Sequence, residues 1–269
     1  MKLVTYDAGG GARAGIQTEA GIVDAGFATV GELLRAGALA DLDAAAGDPV
    51  QDARLLPPVT DPEKIICIGL NYRSHAEEQG AEPPETPTFF AKYRNALAAP
   101  GTAVELPPYS SKVDYEAEVA FVIGKRAKDV PEADALDYVA GYTLLNDLSA
   151  RDMQRKTPQW MPGKVFDGSA PCGPWLVTPD EAGAHDAIEI RLALNGEEMQ
   201  SSSTADLVHS TPALVAYLSQ LMTLEPGDIV STGTPGGVGS LRDPKVWLKP
   251  GDETVIESPT LGRLATTLA

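Results

Sequence analysis

Two glutamates two residues apart, Glu116 and Glu118, run directly into the apolar stretch Val119-Ala120-Phe121-Val122-Ile123. In a β-strand, residues i and i+2 point to the same face, so the two carboxylates would project side by side. Neighbouring carboxylates repel and resist burial unless water, a shared proton or a cation compensates them. Taken alone, such a pair is also what a solvated edge strand displays. A third acid favours the cation: Asp147 follows the apolar run 138–145, itself strand-like, and opens the polar segment 147–154. Three oxygen donors with no Cys or His among them suit Mg²⁺ or Mn²⁺, with Ca²⁺ as a further fit, and argue against zinc.

Other residues could act beside such an ion. His75 and Glu78 are three apart within Leu70-Asn71-Tyr72-Arg73-Ser74-His75-Ala76-Glu77-Glu78-Gln79-Gly80. On a short helix they share a face, and the flanking Gly and Pro residues mark a surface segment able to fold over a site. A single loop histidine is otherwise an ordinary exposed side chain. If 147–154 turns helical after Asp147, Arg151 and Gln154 share a face and offer donors to a carboxylate; the plainer alternative is a solvated helix with an internal Asp/Arg pair. Lys164 is either a solvated loop charge or the local cation that a negatively charged intermediate requires. In 231–239, STGTPGGVG, the glycines admit a ligand to backbone N–H groups and Thr234 adds a hydroxyl, although a tight hairpin would look the same. No G-K-[ST] ending follows, so it is not a phosphate loop. Cys67 lies in the apolar run 64–69 and reads as core, and His185 and His209 have no acidic companion at ligand spacing.

The elements that must position these groups are mostly strands. Runs at 3–6, 21–24, 64–69, 88–92, 116–124, 138–145 and 188–194 are strand-like, Asn195-Gly196 marks a hairpin, and Pro-Gly-Asp turns at 226–228 and 250–252 each precede a further strand-like run. A first helix is expected after Thr29, whose spacing to Glu32 is that of a capping box, ending in the Asp/Ala/Gly stretch 41–48. A second is expected from Thr211-Pro212, with an apolar stripe of Leu214, Val215, Leu218, Leu221 and Met222. Residues 1–60 read as a small N-terminal accessory domain ending in a Pro-rich linker, and 61–269 as the main domain. The class is therefore α+β and β-rich.

The 269 residues carry 21 basic and 38 acidic side chains, a net charge of −17, with no basic block. Nucleic acid is a poor partner, since phosphate binding needs clustered Lys and Arg. No apolar run has the length of a membrane span and the start has no signal-peptide core, so a cytoplasmic protein without membrane attachment is expected. Two cysteines make no disulfide framework.

Together, IGLNYRSHAEE, FFAK, DYEAEVAFVIG, GYTLLNDLSARDMQ, GKVFDGSAPCGP, NGEEMQ and STGTPGGVG resemble, in this order, the fumarylacetoacetate hydrolase family from about Lys64 to the C-terminus. The resemblance implies a mixed β-sandwich roll and a homodimer, with a divalent ion, Mg²⁺ or Mn²⁺, on Glu116, Glu118 and Asp147. It implies His75 and Glu78 on a mobile lid, Lys164 lining the site, and Arg151, Gln154 and Thr234 on the substrate. The larger eukaryotic members take another acidic ligand from an N-terminal region, and this sequence has no equivalent; it looks like the shorter bacterial branch. That branch holds acylpyruvate hydrolases, isomerases of 2-hydroxymuconate-type dioates, oxaloacetate decarboxylases and sugar-acid dehydratases, so the family alone does not fix the reaction. The expected function is C–C hydrolysis of an acylpyruvate or related 2,4-dioxo acid through a metal-bound enolate, with Glu78 orienting His75 to deprotonate a water. Isomerisation or decarboxylation of a related 2-oxo acid is the alternative, and a non-catalytic binding protein the third.

Overall fold

The computed structural model describes residues 1–42 and 47–269. Its principal sheet runs in the order 21–24, 12–18, 2–7, 170–177, 139–146, 117–123, 229–231, 65–69 and 88–92, with two short strands pairing off this path. Along that order every pairing is antiparallel except that of 229–231 with 65–69. A second, five-stranded sheet of 197–203, 189–194, 253–258, 262–268 and 103–104 packs against one face of the first. Asn195 and Gly196 both adopt positive φ, 53° and 86°, as the primed turn of the 189–194/197–203 hairpin requires.

Alternation along Ala117–Ile123 explains why the run is apolar from Val119 onward. Val119, Phe121 and Ile123 pack towards the smaller sheet and the helix Thr211–Leu221. Ala120 and Val122 face the opposite side, where Ile65, Cys67 and Leu145 meet the helix Val30–Arg35. This strand is central and buried along its whole length, so the edge-strand reading of the glutamate pair is excluded. Glu116 and Glu118 share the parity of Ala120 and Val122. They emerge where that face of the sheet opens into a cavity.

Thr29 caps the first helix as its spacing predicts, accepting from Glu32 N at 3.0 Å, while the Glu32 carboxylate accepts from Ala28 N at 2.8 Å, one residue earlier than a reciprocal box would have it. The helix ends already at Arg35; of the stretch 41–48 expected to stop it, residues 43–46 lie outside the described residues. Strand Lys2–Asp7 pairs with Ala170–Val177 through Lys2↔Val177 and Leu3↔Leu176. Sheet and core thus cross the boundary read near residue 60 without interruption.

Candidate active site

The pairing register assembles the three acids. Ala117 lies opposite Asn146 and Asp147 N donates to Glu116 O at 2.9 Å, so Asp147, one residue beyond its strand, comes to rest beside the glutamates. Atoms of the three carboxylates lie within 4.8 Å of one another, and the residues are only 5%, 2% and 0% exposed. Burial at that spacing demands positive charge.

Three cations answer it. Lys164 Nζ reaches Glu116 Oε2 at 2.5 Å and Asp147 Oδ2 at 2.7 Å; Arg151 Nη2 meets Glu116 Oε1 at 2.6 Å, with its Nε on Asp114 Oδ2 at 2.9 Å. Lys92, also buried, sits 2.8 Å from Asp147 Oδ1 and donates to the carbonyls of Lys164 and Ser169. With Asp114, four acids face three cations, and the unbalanced charge falls on Glu118. Burial, together with Asp147 and Glu116, pushes its carboxyl well above the usual range, against the hydrogen bond from Ser231. Burial opposes ionisation of Glu116 as well, but Arg151 and Lys164 hold it well below that range. For Lys164 burial works against the charge, and Asp147 and Glu116 overcome it, raising the ammonium above its ordinary value.

A divalent ion fits this arrangement. The donors are all oxygens, and among the described residues Glu118 has no cation of its own and Asp147 Oδ1 accepts no hydrogen bond, since the Lys92 ammonium approaches it as a charge without hydrogen-bond geometry. Glu116, Glu118 and Asp147 would hold the ion.

The lid is the helix Arg73–Gln79. His75 Nδ1 lies 3.2 Å from Glu78 Oε2, the pairing expected from their spacing. The other ring nitrogen lies 2.8 Å from Gln79 Nε2; an amide nitrogen can only donate, so Nε2 accepts and the proton sits on Nδ1 towards Glu78. This tautomer puts the basic lone pair on Nε2, where it accepts from the Gln79 amide, so the amide must turn away before His75 can take a proton. Burial opposes the charge of Glu78, yet the bonds from His75 and from Gly237 N hold its pKa down.

Floor and lid enclose a cavity of about 340 Å³ into which His75, Glu116, Glu118, Asp147, Lys164 and Thr234 all face. Phe90 and Trp160, in edge contact at 6.0 Å, form its apolar wall, and Lys164 Nζ lies 4.9 Å over the Phe90 ring. Gly69 lets this wall approach, because a Cβ there would stand 2.3 Å from the Trp160 ring and push it aside. Arg151 and Gln154 occupy one helical turn and are bonded to each other, Nη1 to Oε1 at 3.0 Å, which leaves the Gln154 amide nitrogen for a ligand. The Thr234 hydroxyl donates to Ala117 O at 3.0 Å and accepts from Gln200, so its proton is committed within the protein.

The glycine-rich loop differs from its expected role. Its amides do not await a ligand: Gly233 N donates to Glu118 Oε2, Gly237 N to Glu78 Oε1, and Gly239 N with Ser240 N to the two oxygens of Asp114. The loop therefore orients the protein's own acids. Gly237 has φ of 99° and its Cβ position lies 2.2 Å from Met199 O, which fixes glycine there.

Sequence reasoning passed over Lys92, Asp114, Gln79 and Trp160. Asp114 carried a faint signal, standing two before Glu116; Lys92 ends an edge strand, where lysine is ordinarily a solvated gatekeeper. Cys67 is core as expected, with burial pushing its thiol up. Among the described residues no helix is long and apolar enough to cross a membrane.

Residues 64–269 match the family model described as fumarylacetoacetate (FAA) hydrolase C-terminal. The mitochondrial oxaloacetate tautomerase Fahd2a of Rattus norvegicus is 46% identical over 215 residues, 80% of this chain and 69% of that protein. The crystal structure of 5-carboxymethyl-2-hydroxymuconate delta-isomerase from Mycobacterium smegmatis superposes with a TM-score of 0.82 at 35% identity, covering 100% of this chain and 98% of the other. Maleylpyruvate hydrolase from Sphingobium sp. SYK-6, in complex with manganese(II) and pyruvate, gives 0.80 at 30% identity over 100% and 99% of the two chains.

Proposed function

Since the chain belongs to the fumarylacetoacetate hydrolase family, we propose that it is a divalent-metal-dependent enzyme that forms and reprotonates the enolate of a 2-oxo acid. The observation that supports this best is that His75, paired with Glu78, faces the same cavity as the three carboxylates and Lys164. A bound ion would supply a Lewis acid for the substrate's carboxylate and 2-oxo oxygens. The chain's own groups supply the rest. His75 Nε2 takes or returns the proton, and Glu78 fixes the ring and stabilises the imidazolium. Lys164 offsets the charge that develops on the enolate oxygen, and the Gln154 amide with the Arg151 edge receives the carboxylate.

C–C hydrolysis of an acylpyruvate or related 2,4-dioxo acid uses every one of these groups. Water gives its proton to His75 and adds to the distal carbonyl; the bond between that carbon and C3 then breaks, its electron pair passing into the enolate, which His75 reprotonates at C3. The maleylpyruvate hydrolase is a precedent for such a substrate. A second reading, keto–enol interconversion of an oxaloacetate-class acid, is favoured by the 46% identity to an oxaloacetate tautomerase. It needs the same base and enolate but no water. We further propose a homodimer, to be checked by sedimentation.

Incubation with acetylpyruvate, enol-oxaloacetate and a 2-hydroxymuconate-type dioate, with Mg²⁺ or Mn²⁺ and products identified by mass and ultraviolet absorbance, tests the reading. Acetate and pyruvate from acetylpyruvate establish the hydrolase, and faster loss of the enol band without mass change establishes the tautomerase. Inertness towards all three, or full activity in chelator, would refute the proposal. Oxalate, which copies the planar enolate, is expected to inhibit competitively.

A further inference from the structure

The lid helix is seven residues long, and its N-cap, Tyr72, makes no side-chain capping bond. So short a helix is marginal unless tertiary contacts fix it, and its first amides need partners from elsewhere. One comes from far along the chain. Asp206 Oδ2, at the end of the turn Thr204–Asp206, accepts from Ser74 N at 3.1 Å and from Ser74 Oγ at 2.5 Å. A carboxylate at a helix N-terminus also meets the positive end of the helix dipole.

The residues after Asp206 continue the hold. Arg73 Nη1 donates to Leu207 O at 2.6 Å, and Tyr72 and Leu207 form an isolated antiparallel bridge. Val208 N donates to Asn71 O at 2.8 Å, and Asn71 exchanges side-chain bonds with His209 N and O. On the far side of the lid, His209 Nε2 lies 2.9 Å from Pro84 O. Segment 206–209 thus grips 71–74 and also touches 84, and nothing in it reaches the carboxylate cluster. Ser74 is the neighbour of His75, so the grip sets where the imidazole stands; Gly237 N on Glu78 is the second fixed point.

We propose that Asp206 is a positioning residue, capping the lid helix from outside and thereby holding His75 and Glu78 over the carboxylates. Its effect on turnover rests on the proton-transfer reading above, whereas its hold on the helix does not. Hydrogen exchange and kinetics of Asp206→Ala, Asp206→Asn and Ser74→Ala, each with Mn²⁺, test the two separately.

In Asp206→Ala, amides 74–76 are expected to exchange roughly tenfold faster, the usual scale for a lost cap, while the amides of 117–123 keep their protection. Turnover should fall roughly tenfold with KM and Mn²⁺ affinity within about threefold of wild type, because the lid and not the floor has loosened. Asp206→Asn keeps an acceptor oxygen and should restore most of both properties, which a merely structural charge would not allow. Ser74→Ala removes one of the two bonds to Asp206 together with the long bond from Gly236 N to Ser74 Oγ, and should also speed exchange at 74–76; it decides the matter with Asp206→Asn if Asp206→Ala does not fold. Unchanged exchange at 74–76 in Asp206→Ala overturns the capping role. Faster exchange with unchanged turnover, in a protein that His75→Ala inactivates, overturns the positioning role. If His75→Ala is itself silent, the proton-transfer reading has failed, and exchange at 74–76 alone decides whether Asp206 holds the helix.

Discussion

Glu118 stands on a strand buried on both faces and Glu116 and Asp147 at the ends of two such strands, whereas His75 and Glu78 stand on a seven-residue helix whose outer residues Glu77, Glu78 and Gln79 are exposed. The floor of the cavity is fixed by a sheet register that nothing short of unfolding can shift. The lid is fixed by a handful of hydrogen bonds to Asp206, Leu207 and Gly237, each of which water could replace. Under the proposed function the contrast fits a division of work, in which groups that bind an ion are preorganised and groups that move protons can arrive with the substrate and leave with the product. It also explains how one floor could serve several reactions, since the chemistry is chosen by what the lid brings.

Substitutions should separate the two regions. The largest effect is expected on the floor: Asp147→Asn removes a proposed ligand and the anion that faces two lysines, so activity should drop to the detection limit and Mn²⁺ binding, followed calorimetrically, should be lost with it. Retained Mn²⁺ affinity would show that the cluster is not the ion site. Next, Lys164→Met removes the cation nearest the developing charge; a loss of about 10²- to 10³-fold in turnover is expected, the range for one electrostatic contact at an oxyanion. It also leaves Glu116 and Asp147 less compensated, and the metal-free protein should lose about 3–5 kcal/mol of stability in denaturant titration. An unchanged midpoint would mean that Lys92 and Arg151 suffice.

A smaller effect belongs to the lid. Glu78 lies below its ordinary value of 4.5 because His75 and Gly237 N outweigh its burial. A carboxylate depressed by folding contributes stability above its unfolded pKa that is lost as pH falls through the folded one. The lid should therefore hold its hydrogen-exchange protection down to pH 4.5 and lose it only below, ahead of the floor; Glu78→Gln should weaken that pH dependence without abolishing it, since the Asp206 carboxylate holds the same helix. Simultaneous loss in both regions would erase the distinction. The smallest expected change is Thr234→Val. Its hydroxyl serves Ala117 and Gln200, so stability should fall by about 1 kcal/mol and turnover by less than about threefold. A loss of turnover near that of Lys164→Met would restore Thr234 as a substrate contact.

The floor was legible because its signals are local: an i, i+2 pair in a strand, and an acid just past the neighbouring strand. The His75–Glu78 pair was legible for the same reason, three residues apart on one turn. What escaped depends on pairings across the chain. Gly233 finds Glu118 across 115 residues, Gly239 finds Asp114 across 125, and Asp206 finds Ser74 across 132, and no pattern within a window shows such partners. Glycines in 231–239 announced an unusual backbone but not whose carboxylates its amides would bind. Lys92 escaped because a buried lysine is intelligible only once Asp147 and the Ser169 carbonyl are known to surround it.

The division between floor and lid is tested most directly by measuring Mn²⁺ affinity and turnover together on His75→Ala. The imidazole is hydrogen-bonded to Glu78 and Gln79 and to none of the three carboxylates, so the ion should bind within about threefold of wild type while turnover falls about 10²- to 10⁴-fold, the range for a lost general base. Turnover near the wild-type rate, or Mn²⁺ affinity lost in step with activity, would contradict the account.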